Sequence, residues 1–123
     1  MTGADRTRVR MLGWVDDVAD FYNQVSVYVQ PSRTEGFGIE VLEAMAHGRP
    51  VLCSMGAGAS DVCPAMCRFE PGNVDKLVYL IDLMKNDPER REVRGRVGRS
   101  TAEYYTWDKI RAQYQSVWRS LLP

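Results

Sequence analysis

Glu35 and Glu43 are the residues in this sequence whose type and spacing most plainly suit chemistry. Glu35 opens the glycine-rich stretch Glu35-Gly36-Phe37-Gly38, and Glu43 lies about one and a half helical turns into the segment that follows. An ionised carboxylate accepts several hydrogen bonds, so each can hold a vicinal diol such as a ribose or hexose ring displays. Placed at the two ends of one loop-to-helix junction, the pair can reach different parts of one elongated ligand. Between them, Gly36 and Gly38 let the backbone come close to that ligand. A helix starting near Gly38 would add free N–H groups and the positive end of its dipole, a setting suited to a phosphate. A plainer reading competes. Glu40, Glu43 and His47 share one helical face and could form a solvated stripe, Gly36 and Gly38 could merely make a turn, and Arg33 could be a loop charge in water.

The elements that must position these residues alternate in type. Residues 9–12 are a short apolar run ending at Gly13, which predicts a strand. Residues 16–24 carry a helical stripe of Val18, Ala19, Phe21 and Tyr22 behind an aspartate cap. The β-branched and aromatic run 25–29, stopped by Pro31, predicts a buried strand. Residues 38–47 predict a helix with Ile39, Leu42, Met45 and Ala46 on its buried side, ended by Gly48 and Pro50. Strands follow at 51–53 and 67–69, separated by the loop of Gly56 and Gly58. Three helices then run over 73–86, from Asp87-Pro88 to about 105, and from Thr106 or Asp108 to 122. The last carries the stripe Tyr114, Val117, Trp118 and Leu121. Alternating strands and helices predict an α/β fold: a partial Rossmann-like parallel sheet of about four strands, with flanking helices and C-terminal helices. Ligands of such sheets bind at the carboxyl ends of the strands, where residues 31–38 fall.

The segment from Pro31-Ser32 through Glu35-Gly36-Phe37-Gly38 and Leu42-Glu43-Ala44-Met45-Ala46 to Gly48-Arg49-Pro50-Val51 resembles the Glu-x7-Glu signature of family 4 glycosyltransferases, which have the GT-B fold. Residues 9–15, the strand at 25–32 and Thr106-Trp107 extend the likeness over nearly all of the chain after residue 8. The resemblance implies that the whole chain, 1–123, is one truncated nucleotide-sugar-binding domain, the second half of the family's C-terminal donor-binding domain. It implies that Glu43 holds the ribose hydroxyls of a nucleotide-diphosphate sugar, and that the backbone of Gly36, Phe37, Gly38 and Ile39 meets sugar hydroxyls and the diphosphate. Glu35 would be the catalytic carboxylate near the donor sugar, contacting its hydroxyls and steadying positive charge at the anomeric carbon. Transfer would retain anomeric configuration, with no bound metal and no cofactor beyond the donor. The loop at 56–60 resembles one that approaches the nucleotide, although Asp61 stands where a glutamate is common.

The likeness is incomplete. Nothing matches the first strands of the donor domain or the acceptor domain. The missing strands would leave a sheet edge open, so association with a second copy or with a partner chain supplying them is expected. The alternative is a non-catalytic module that binds a nucleotide sugar or serves as an interaction surface. Sixteen basic residues balance sixteen acidic ones, so no net field draws the chain to nucleic acid. Arg90, Arg91, Arg94, Arg96 and Arg99 read as a solvated helix face, or as a contact to phosphate or anionic lipid. No run is long and apolar enough to span a bilayer. The polar residues 1–10 lack an apolar leader core. A cytoplasmic location is the expectation. The cysteines, Cys53, Cys63 and Cys67, have no second ligand pair near them and His47 is distant in sequence, so buried free thiols are expected rather than a zinc site.

Overall fold

The computed structural model describes residues 8–122. The chain runs α1 (Val18–Gln24), β1 (Tyr28–Gln30), α2 (Ile39–Ala46), β2 (Val51–Ser54), two 3-10 turns (Gly58–Val62 and Ala65–Cys67), β3 (Arg68–Phe69), α3 (Val74–Asn86), α4 (Pro88–Ala102) and α5 (Trp107–Leu121). The strands form one parallel sheet in the order β1-β2-β3. Tyr28 pairs with Val51 and Gln30 with Cys53, and Cys53 also pairs with Arg68. The α/β class and parallel sheet predicted from the sequence are therefore present.

The sheet has three strands rather than about four. Residues 9–12 form no strand: Val9 is 58% and Met11 93% exposed. A strand exists by pairing, and the free edge of β1 has not drawn this segment in. The first part of the polar stretch 1–10 lies outside the described residues.

Side chains along a strand alternate between the sheet's faces, and the core follows that alternation. Val51 and Cys53 join Tyr22, Val41, Ala44, Met45, Ala57, Ala59, Cys63 and Ala102 in one buried cluster. Leu52 joins Cys67, Phe69, Leu80 and Met84 in the other, with Val27 and Val29 packed against it. All three cysteines are buried free thiols, and Cys67 Sγ accepts a hydrogen bond from Arg94 Nη1 at 2.7 Å.

Side-chain caps fix where α1, α3 and α4 begin. Asp17, Asn73 and Asp87 each accept from the backbone three residues on. The arginines of α4 are only partly a solvated face. Arg96 pairs with Glu92 on the surface. Arg91 instead donates to the carbonyl oxygens of Met84 and Lys85 at the C-terminus of α3, locking the α3–α4 elbow.

Helix α2 buries Val41, Ala44 and Met45, whereas Ile39 and Ala46 lie exposed and Leu42 is half-buried. The buried face is thus rotated from the one predicted. Both faces of α2 are apolar enough, and close packing against α4 decides between them. Gly95 and Gly98 let the two helices approach. A Cβ on Gly95 would fall 2.1 Å from the carbonyl oxygen of Gly48, while one on Gly98 would meet the Met45 side chain at 3.3 Å.

The two glycines predict opposite outcomes. Gly95→Ala forces backbone apart, so overpacking of about 1–3 kcal/mol exceeds the gain of about 1 kcal/mol in helix propensity. Gly98→Ala meets only a flexible side chain and is expected to be neutral or mildly stabilising. Urea unfolding midpoints of the two variants check this.

Candidate functional site

At the carboxyl ends of β1 and β2 two loops lie against each other. Glu35 N donates to Gly56 O at 3.0 Å, Gly58 N to Gly36 O at 3.0 Å and Ala59 N to Phe37 O at 2.6 Å. Glu35 and Ala57 form a parallel bridge that prolongs the sheet beyond β1 and β2. This contact needs glycine. A Cβ on Gly56 would stand 2.3 Å from Arg33 O, and one on Gly58 2.4 Å from Gly36 O. The glycines of the second loop are accounted for by this packing. Asp61, just beyond them, is exposed.

The Glu35 carboxylate is held by two residues, one closing β1 and one in its exit. Ser32 Oγ donates to Glu35 Oε2 at 2.7 Å, and Gln30 Nε2 donates to the same oxygen. Gln30 Nε2 also donates to Ser32 Oγ at 3.0 Å, and Tyr28 OH donates to Gln30 Oε1 at 2.7 Å. Among the described residues Glu35 Oε1 receives no hydrogen bond, which leaves it for a ligand hydroxyl.

Glu43 lies on the exposed side of α2 above α1. Tyr22 OH donates to Glu43 Oε2 at 3.1 Å and to the carbonyl of Glu40 at 3.2 Å. The Tyr22 ring stacks on His47 and meets Tyr28 edge-on at 5.8 Å between centroids. Burial, then the hydrogen bond to Glu43, raises the Tyr22 phenol well above its ordinary value. Burial, with the carboxylates of Glu40, Glu35 and Glu43, pushes Tyr28 up to about 12. Both phenols are hydrogen-bond donors at neutral pH.

Gly38 is the N-cap of α2 with φ 84°, and no side chain caps the helix. Its backbone rests against the Glu35 carboxylate, since a Cβ there would lie 3.6 Å from Glu35 Cγ. The first amides of α2 are thus left to solvent or to an anion. Phe37 and Ile39 are exposed beside them. Gly36 has open space where a Cβ would go, so packing alone does not demand glycine there. The structure brings Glu35, Gly36, Phe37, Gly38 and Ile39 together at one loop, with Glu43 one helical face away.

Sequence reasoning missed the supporting residues Tyr22, Tyr28, Gln30 and Ser32. Tyr22 and Tyr28 read there as apolar core, and a polar residue closing an apolar strand, as Gln30 does, was the available signal. Among the described residues no helix is long and apolar enough to cross a membrane.

Comparison with known proteins identifies the family. Residues 2–87 match the family model described as glycosyl transferases group 1. The chain is 34% identical over 98 residues to the sulfoquinovosyl transferase of Arabidopsis thaliana, covering 75% of this chain and 19% of that protein. It is 31% identical over 116 residues to the O-antigen chain mannosyltransferase B of Escherichia coli, covering 92% of this chain and 30% of that protein. In three dimensions it is similar to the sucrose-phosphate synthase of Thermosynechococcus elongatus, with TM-score 0.76 and 28% identity over 82% of this chain and 26% of that one. The chain therefore spans less than a third of each of these relatives.

The tyrosines give a pH test. Below pH 10.0 both folded and unfolded chains keep Tyr28 protonated. Between 10.0 and about 12 the unfolded chain ionises while the folded chain does not, so stability falls as pH rises through this window. Absorbance titration of the phenolates should show a late step extending to about pH 12, part of which Tyr28→Phe removes.

Proposed function

Because the chain belongs to the glycosyl transferases group 1 family, we propose that it is the donor-binding part of a glycosyltransferase and that its ligand is a nucleotide-diphosphate sugar. One observation carries this reading: Glu35 lies just before the uncapped N-terminus of α2 and Glu43 on the exposed side of the same helix, so two diol acceptors accompany an anion site. Glu43 takes the ribose hydroxyls. The amides around Gly38 and Ile39, with Gly36 and Phe37 beside them, meet the diphosphate and sugar hydroxyls.

Glu35 Oε1 faces the donor sugar. There it accepts from a sugar hydroxyl and stabilises positive charge developing at the anomeric carbon during transfer with retention. The helix terminus stabilises the departing diphosphate, whose negative charge grows as the glycosidic bond breaks. No resident metal or cofactor is part of the proposal. A cytoplasmic location fits a soluble nucleotide sugar as donor.

The acceptor site belongs to sequence outside this domain, in keeping with the share of its relatives that the chain spans. The same fact supports a second reading, a module that binds the nucleotide sugar without transferring it. Among the described residues β1 pairs with a strand on one side only. A partner chain, or a second copy, supplies strands beside it.

Calorimetric titration with UDP, GDP and ADP tests the donor site. One nucleotide is expected to bind, and Glu43→Ala should weaken it about 10- to 100-fold, the cost of losing hydrogen bonds to a charged group. Binding unchanged in the variant would remove Glu43 from the site. Light scattering tests the open edge: a mass above that of the monomer at high concentration is expected, and a clean monomer counts against a second copy.

A further inference from the structure

We infer that Gln30 is a positioning residue that fixes the orientation in which Glu35 presents its free carboxylate oxygen to the donor sugar; this rests on the proposed role of Glu35. Gln30 closes β1 and is buried, at 8% exposure. A primary amide in such a place costs free energy unless its donors and acceptor are used. Here they are used on one target. Nε2 donates to Glu35 Oε2 and to Ser32 Oγ, and Ser32 Oγ in turn donates to Glu35 Oε2. Tyr28 OH donates to Gln30 Oε1, which turns the amide so that its NH2 group faces the carboxylate.

The strand explains the geometry. Tyr28 and Gln30 lie two residues apart on one face of β1, so the phenol reaches back along that face to the amide. Gln30 is also anchored through its backbone to Cys53 of β2. Glu35 lies in a loop and has only its β-bridge to Ala57 to fix its backbone. The amide therefore ties a loop carboxylate to the sheet. With Oε2 held by two donors, the carboxylate is restrained, and Oε1 has no hydrogen bond among the described residues. A freely rotating carboxylate would lose conformational freedom on taking up a sugar hydroxyl, and the tie removes that cost beforehand.

The role predicts a split between ligands. Glu35 meets the sugar, whereas Glu43 and the helix terminus meet the nucleotide. Gln30→Met keeps the volume and removes the hydrogen bonds. In the 123-residue chain it should weaken UDP-glucose, GDP-mannose or ADP-glucose, whichever binds, by about tenfold, and leave the matching nucleoside diphosphate within about twofold. Combined with Glu35→Ala it should add nothing further to the loss. Tyr28→Phe, which leaves Gln30 in place, should show the same split with smaller amplitude and guards against a misfolded Gln30 variant.

Equal weakening of both ligands by Gln30→Met and Tyr28→Phe would mark the network as structural support only and overturn the inference. So would a Gln30→Met chain that binds the nucleotide sugar normally while Glu35→Ala does not. If Glu35→Ala itself leaves nucleotide-sugar binding unchanged, or no nucleotide sugar binds at all, the role given to Glu35 has failed and the role of Gln30 falls with it.

Discussion

Backbone contact between two loops sets the shape of this site. Residues 35–37 hydrogen-bond residues 56–59, and the approach is so close that Gly56 and Gly58 have no room for a Cβ. Loops usually lie over the surface and owe their backbone hydrogen bonds to water. Here one loop borrows them from the other and extends the parallel sheet past its last regular residue. That extension gives Glu35 a defined backbone. It also brings the chain to Gly38 in the left-handed conformation that starts α2.

Helix α2 then serves two surfaces. Its inner face packs Met45 and Ala44 under α4, where Gly95 and Gly98 admit the close approach. Its outer face carries Glu43. The two are coupled by geometry, because a helix rotated to bury Ile39 and Leu42 would carry Glu43 away from Tyr22. The hydrogen bond from Tyr22 and the stack of Tyr22 on His47 join α1 to this face. Packing on the inner face of α2 therefore decides where the Glu43 carboxylate on its outer face stands.

Apolar surface is distributed unevenly. The two clusters around the sheet are dense, yet α5 buries none of its residues, and Trp118 and Leu121 are 62% and 75% exposed. The stripe predicted for α5 exists as a stripe but covers nothing within the described residues. Trp14 and Met11 are exposed as well, and among the described residues β1 pairs along one edge only.

The sequence by itself determined the local features: alternation of strand and helix, aspartate caps, the start of the last helix near Thr106, and the loop with Glu35 at a strand's end, followed by the helix with Glu43. Each follows from residue type and short-range spacing, which a linear reading contains. Tertiary structure alone decided the rest. Residues 9–12 carry a strand-forming pattern but found no partner edge, and pairing is not a local property. The sequence put Ile39, Leu42, Met45 and Ala46 on the buried side of α2, and the close fit to Gly95 and Gly98 kept Met45 there and brought in Val41 and Ala44. Tyr28 read as a member of the buried strand 25–29, with Gln30 just beyond it. Only the return of the chain at Glu35 made Gln30 its hydrogen-bond partner, with Tyr28 bound to Gln30 behind it, because a polar contact depends on where two segments meet and not on either one.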